Sequence, residues 1–225
     1  MHLFTIWNRI EVGAVRHTPG VYRSNNLVIP AISRVADLAL ELSGLLPNRD
    51  HNGDLLAAIE RMPRCLTGER PVFAVLAADP FLRVDLMSDR LAQKGYRQVV
   101  NLPSVGQYGA ELTPMLGDLD LGVQREFRIL SKFKAGGFDI AATVATEQDI
   151  GAALALDPER LFVVPNFDFW HNDRLDPDRL IALCRATAEA REECASEVPI
   201  VLLVGRMPIS ATQARDAGAN AILFD

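Results

Sequence analysis

Cysteine is scarce in this chain. Cys65, Cys184 and Cys194 are the only three in 225 residues, and their irregular spacing fits neither a disulfide framework nor a zinc site. They read as reduced thiols of a cytoplasmic protein. Basic residues are in deficit too, with 23 Lys and Arg against 29 Asp and Glu. A net charge of −6 argues against a nucleic-acid surface, which needs clustered cations. No apolar run reaches membrane-spanning length, and the opening MHLFTIWNRIEVG has neither a basic leader region nor a long apolar stretch, so neither membrane insertion nor secretion is expected. No CxxC pair, HExxH, GxSxG, P-loop or dinucleotide fingerprint occurs, so no nucleotide cofactor is indicated. No low-complexity stretch or linker divides the chain, and residues 1–225 read as one domain.

What is present is a β/α rhythm in a chain that is 49% apolar. PVFAVLA from Pro71 and RQVVNLP from Arg97 are apolar runs suited to strands buried on both faces. Between them Leu82, Leu86, Leu91 and Ala92 recur at helical spacing, with a stop near Lys94-Gly95. Further strands are expected at 26–31, 138–144, 161–164, 200–204 and 219–224. Helices are expected from Leu55, over 122–134, over 147–156 with Thr146 as N-cap, over 177–193 behind Asp176-Pro177, and after Ser210. Gly106, Gly109, Pro114 and Gly117 make 104–121 read as a long loop.

Alternating strands and helices imply parallel pairing with right-handed crossovers. Seven strands follow Asn26, and one more near Leu3–Ile6 or Ile10–Val15 would complete eight. The expected fold is therefore a (β/α)8 TIM-type barrel with an irregular first unit and no eighth helix after the last strand. That strand's outer face would be covered by the N-terminal segment or by a second copy of the chain, which predicts a homo-oligomer. In such a barrel Asp79 and Asn101 lie just past the ends of neighbouring strands, on the edge where chemistry is placed.

Four blocks carry a resemblance: GLLPNRDHNGD (44–54), AADPF (77–81), NLPSVG (101–106) and the helix bearing Glu126. Taken in order, they resemble the phosphoenolpyruvate hydrolase-like TIM-barrel family, which is similar to the C-terminal domain of the plant Tm-1 resistance protein. The phosphoenolpyruvate mutase and isocitrate lyase superfamily is a more distant likeness. The match runs from about Leu27 to Phe224. Where the family has His at the ends of its sixth and seventh strands, this chain has Asn166 and the segment Gly205-Arg206-Met207-Pro208. A glycine-rich turn after the first strand is also missing.

The resemblance implies an enzyme of the lyase or hydrolase range acting on a small oxo-acid or phosphorylated acid. Asp50 and Asp79 would hold Mg²⁺, which favours oxygen ligands and keeps part of its water shell. Asp79 and Glu126 would serve as acid or base. Asn101, Ser104, Gly106, Asn166 and Arg206 would bind a carboxylate or phosphate ligand. Each residue also has a plainer role: Asp50 in a turn, Asp79 as a helix N-cap before Pro80, Glu126 in a surface ion pair, Arg206 in a structural one. The aromatics and His171 of 166–176 could form a lid, a subunit contact or part of the barrel rim. Loss of both family histidines leaves a second expectation open, a catalytically altered or inactive barrel that binds ligands or proteins.

Overall fold

The structure is a computed structural model and describes residues 5–11, 26–29, 50–66, 70–171, 174–205 and 207–224. The barrel strands are β1 (Thr5–Glu11), β2 (Asn26–Ile29), β3 (Val72–Val75), β4 (Gln98–Asn101), β5 (Asp139–Val144), β6 (Arg160–Val163), β9 (Ile200–Gly205) and β10 (Ala221–Phe224). All pair in parallel in the order β1-β10-β9-β6-β5-β4-β3-β2. β1 also pairs with β2, so the order returns on itself as in a TIM-type barrel, and the seam between β2 and β3 is the shortest. β1 overlaps both stretches proposed for it from sequence. The irregular first unit falls on residues outside those described.

Around the sheet stand α1 (His51–Arg61), α2 (Val84–Gln93), α3 (Gly109–Asp118), α4 (Val123–Ala135), α5 (Glu147–Ala155), α6 (Pro177–Glu193) and α7 (Ala211–Asp216). The strand residues divide by parity. Leu27, Ile29, Val72, Ala74, Val100, Ala141, Phe162, Val201, Leu203 and Leu223 fill the barrel interior. Val28, Phe73, Val99, Ile140, Leu161, Ile200 and Leu202 pack outward under the helices. Burial on both faces is why these strands read as continuous apolar runs. No helix among the described residues is long and apolar enough to cross a membrane.

Local signals explain the helix ends. Thr146 and Ser210 form capping boxes with Asp149 and Gln213, and the Asp176 carboxylate accepts the Asp178 N–H ahead of Pro177 at the first turn. Gly95, at φ 85°, ends α2 as expected.

Three expectations are corrected. α1 begins at His51, four residues before Leu55, because the Asp50 carboxylate accepts the Gly53 N–H and starts the helix early. α2 begins at Val84, so Asp79 is not its N-cap; Asp79 Oδ1 instead accepts the Phe81 N–H in a turn. The segment 104–121 is not a loop: a 3₁₀ turn over Val105–Tyr108 leads directly into α3. Its glycines and proline masked a helix that is held by its neighbours rather than by propensity. The stretch after Asn166 likewise folds into a 3₁₀ turn, Phe167–Phe169, and a two-residue antiparallel pair, β7 (Trp170–His171) with β8 (Arg174–Leu175).

Candidate functional site

At the C-terminal edge, β4 ends in a buried network centred on Glu126. This side chain of α4 has no exposed surface. Its Oε2 accepts from Asn101 Nδ2 at 2.8 Å and from Ser104 Oγ at 2.6 Å, and its Oε1 accepts from the Val105 N–H at 2.9 Å. Burial raises the Glu126 carboxyl to about 7; the bonds from Ser104, Val105 and Asn101 pull it down, and the charge of Asp149 adds to the rise. Loss of hydration thus outweighs three donors, and the group sits between its two protonation states near neutrality. The neighbouring Asp149 carboxyl is also raised by burial, against its bonds to Thr146 and Ala145.

Asn101 couples this network to the next strand. Its Oδ1 accepts the Thr143 N–H at 2.9 Å, and Thr143 Oγ1 donates to the Asn101 carbonyl at 2.7 Å. The ladder between β4 and β5 has already ended at Val100 and Ala141, so side chains continue it. Ser104 Oγ also accepts the Gly106 N–H. A Cβ added at Gly106 would stand 3.0 Å from Asp149 Oδ2, so this glycine serves close packing.

Two further residues not singled out from sequence, Gln107 and Asp168, bind the edge together with Asn166. Gln107 accepts the Ser104 N–H through Oε1 and donates from Nε2 to the Pro165 carbonyl, joining the loops after β4 and β6. Asn166 donates to the Ala145 carbonyl at 2.6 Å and accepts the Asp168 N–H, so it caps a turn. Asp168 Oδ2 accepts the Ala110 N–H at the start of α3. Tyr108 stacks on Phe167 with centroids 6.1 Å apart. The aromatic loop is therefore fastened to the loop after β4, and Phe167, Phe169 and Trp170 are partly buried there.

Asp79 lies apart, in a partly exposed position after β3. Its Oδ2 accepts from Asn52 Nδ2 at 2.9 Å. Asn52 also brackets the backbone of Leu76, accepting its N–H at 3.1 Å and donating to its carbonyl at 3.0 Å. Asn52 was legible only as a neighbour of Asp50; the turn-rich composition around it hid the clamp. Arg125 Nη2 reaches the Asp79 carbonyl at 3.5 Å.

The sequence-selected residues thus fall into two groups. Asn101, Ser104, Gly106, Glu126 and Asn166 are buried beneath the edge, each in a named bond or close contact. Asp79 and Asp50 are accessible, Asp50 as the exposed cap of α1. Arg206 lies outside the described residues. Among the described residues no group of three or more His, Cys, Asp and Glu gathers as a metal site. Mg²⁺ is held by as few as one or two carboxylates with waters; Asp79 is tied through Asn52 to the start of α1, which Asp50 caps.

The architecture and this edge define an α/β chain of TIM-barrel type. No family model matches it, and no curated protein matches its sequence. Solved structures do. One, titled 2,3-dimethylmalate lyase, a PEP mutase/isocitrate lyase superfamily member, aligns with a TM-score of 0.54 at 12% identity over 99% of this chain and 76% of its own. The tryptophan synthase complex from Pyrococcus furiosus gives 0.56 at 8% identity, covering 100% of this chain and 88% of that one. FabK from Thermotoga maritima gives 0.53 at 12% identity over 98% of this chain and 58% of the other. Three such different proteins at these identities establish the fold alone.

Proposed function

We propose that this chain is a lyase-range enzyme acting on a small oxo-acid or phosphorylated acid, built on a (β/α)8-type barrel related to the phosphoenolpyruvate hydrolase-like family and, more distantly, to the PEP mutase/isocitrate lyase superfamily. The observation that carries the reading is the Glu126–Ser104 contact at the end of β4. A carboxyl raised to about 7 by burial, bonded at 2.6 Å to a hydroxyl, is a proton store linked to the edge where barrel enzymes do their chemistry. Superfamily membership of the dimethylmalate lyase, whose barrel is similar, supports the reaction class.

In this reading Asp79 is the accessible carboxylate that takes or gives the substrate proton, and Asn101 and Thr143 hold the end of β4 rigid behind it. Ser104 anchors the Glu126 carboxyl to the end of β4. Mg²⁺, held by Asp79 and Asp50 through waters, would supply positive charge to a developing enolate or phosphoryl oxyanion.

The experiment is incubation with a panel of small oxo-acids, hydroxy-acids and phosphorylated acids, with and without Mg²⁺, followed by proton and phosphorus NMR. Turnover of one member, lost in Asp79→Ala, supports the proposal; no turnover across the panel overturns it. A second reading, a barrel that binds without catalysing, is favoured by the burial of Asn101 and Ser104, at 0% and 1% exposure, which keeps them from direct contact with a ligand. Saturable binding without turnover would select it. The homo-oligomer expected from sequence is tested by the mass of the native protein in solution.

A further inference from the structure

Two side chains carry buried nitrogen atoms without hydrogen-bond partners, His51 and Arg125. His51 is 2% exposed, and neither of its ring nitrogens makes a hydrogen bond. It occupies the first position of α1, on the stripe continued by Leu55, Ala58 and Ile59, and it precedes the Asn52 that grips Asp79. Arg125, in the first turn of α4, has a buried Nε with no partner. Its Nη2 contact with the Asp79 carbonyl is at the outer limit of hydrogen bonding. Among the described residues Arg125 makes no ion pair, whereas Arg70, Arg90, Arg128 and Arg191 each make one.

Buried donors without partners are rare in folded proteins and call for an explanation, an absent ligand among the first. Asp79 does not supply it: Asn52 Nδ2 and the Phe81 N–H take up its two carboxylate oxygens, and its contact with Arg125 is through the backbone. Among the described residues no carboxylate pairs with this guanidinium. A planar fork of donors on a partly buried Arg suits a two-oxygen face, and an imidazole can add an N–H.

We infer that Arg125, with His51 beside the Asn52–Asp79 pair, is the anion-recognition element of this chain and takes an oxyanion of a small acid, carboxylate or phosphate. This rests on the small-acid reading above and adds the residues that would select for it.

The test is calorimetric titration of the full chain, in EDTA, with oxalate and separately with inorganic phosphate. The inference expects saturable binding of at least one, and the tighter of the two names the group recognised. Arg125→Gln should weaken that binding tenfold or more with an unchanged melting temperature, and Arg125→Lys should recover only part, since it restores charge without the fork. His51→Phe should leave the melting temperature equal or higher, because it removes an unsatisfied polar group, yet weaken binding several-fold. Wild-type protein that binds neither anion overturns the inference, as does an Arg125→Gln variant that binds like wild type; His51→Phe with unchanged binding removes His51 from the site. Arg125-dependent binding with no turnover on the acid panel retains the inference and discards the lyase reading. Turnover whose KM ignores Arg125→Gln does the reverse.

Discussion

Ser104 and Glu126 meet at the buried edge, Oγ to Oε2 at 2.6 Å, and neither side chain is more than 1% exposed. The hydroxyl lies just past β4 and the carboxyl on the first turns of α4, so this bond pins the strand end to the helix behind it. Ser104→Ala removes the bond to Glu126 and the acceptor used by the Gly106 N–H. The expected loss is about 1–3 kcal/mol in urea unfolding, the usual cost of stranding buried polar groups. A double-mutant cycle with Glu126→Leu should show strong non-additivity; additive losses would mean that the contact is not formed.

The raised Glu126 carboxyl makes stability depend on pH in a defined direction. Its folded value is about 7, above its ordinary value of 4.5. Between the two the unfolded chain has released the proton that the folded chain keeps. The contribution is thus full below the lower value and is lost as pH rises through the upper one. Glu126→Leu should abolish this fall, so the wild-type minus variant difference in unfolding free energy declines from acid to neutral pH and then levels. Parallel curves for the two proteins would refute the raised value.

Gly109 has φ 81°, and a Cβ there would stand against the Asp168 carboxylate that accepts the Ala110 N–H. Gly109→Ala should cost about 1–3 kcal/mol through backbone strain and displacement of Asp168. Hydrogen exchange is the sharper readout, with protection falling at both the start of α3 and the turn after Asn166. Faster exchange at only one of them would show the two loops to be uncoupled.

Asn52→Ala should destabilise by about 2–4 kcal/mol, because the Leu76 N–H and carbonyl lose their partner together and Asp79 loses one donor. Asn52→Asp should do nearly as much harm, since a carboxylate would face the Leu76 carbonyl and Asp79 without an N–H to offer. Thermal melts of the two variants side by side check this; a harmless Asn52→Asp would remove the clamp from the account.

The three cysteines should separate by reactivity. Cys194 is exposed, Cys65 is partly buried, and burial pushes the Cys184 thiol up to about 12. With an aromatic disulfide reagent at mildly alkaline pH, Cys194 should react first and Cys184 only on unfolding. Rapid labelling of Cys184 in the native protein would contradict its burial on the inner face of α6.

The sequence carried the order of elements well. Apolar runs such as FAV at β3 and IVLLV at β9, with Thr146, Asp176 and Ser210 as caps, place strands and helices because burial on both faces and capping are local signals. Around 104–118 that logic failed: the glycines and Pro114 lower helix propensity, while the bonds from Gln107 to Pro165 and from Ala110 to Asp168 hold the segment from 58 residues away. No local pattern reports a partner so remote.

The site divides in the same way. That Asp79, Asn101, Ser104 and Glu126 belong to one edge followed from strand ends and block order alone, since a parallel barrel sends every strand's C-terminus to the same face. Which of them is buried, which meets solvent, and that Asn52 and Arg125 stand beside Asp79, was decided only when strands and helices far apart in the chain packed together. Burial and hydrogen-bond partners are properties of that packing, and they are what set the protonation of Glu126 and leave the His51 ring and Arg125 Nε without partners.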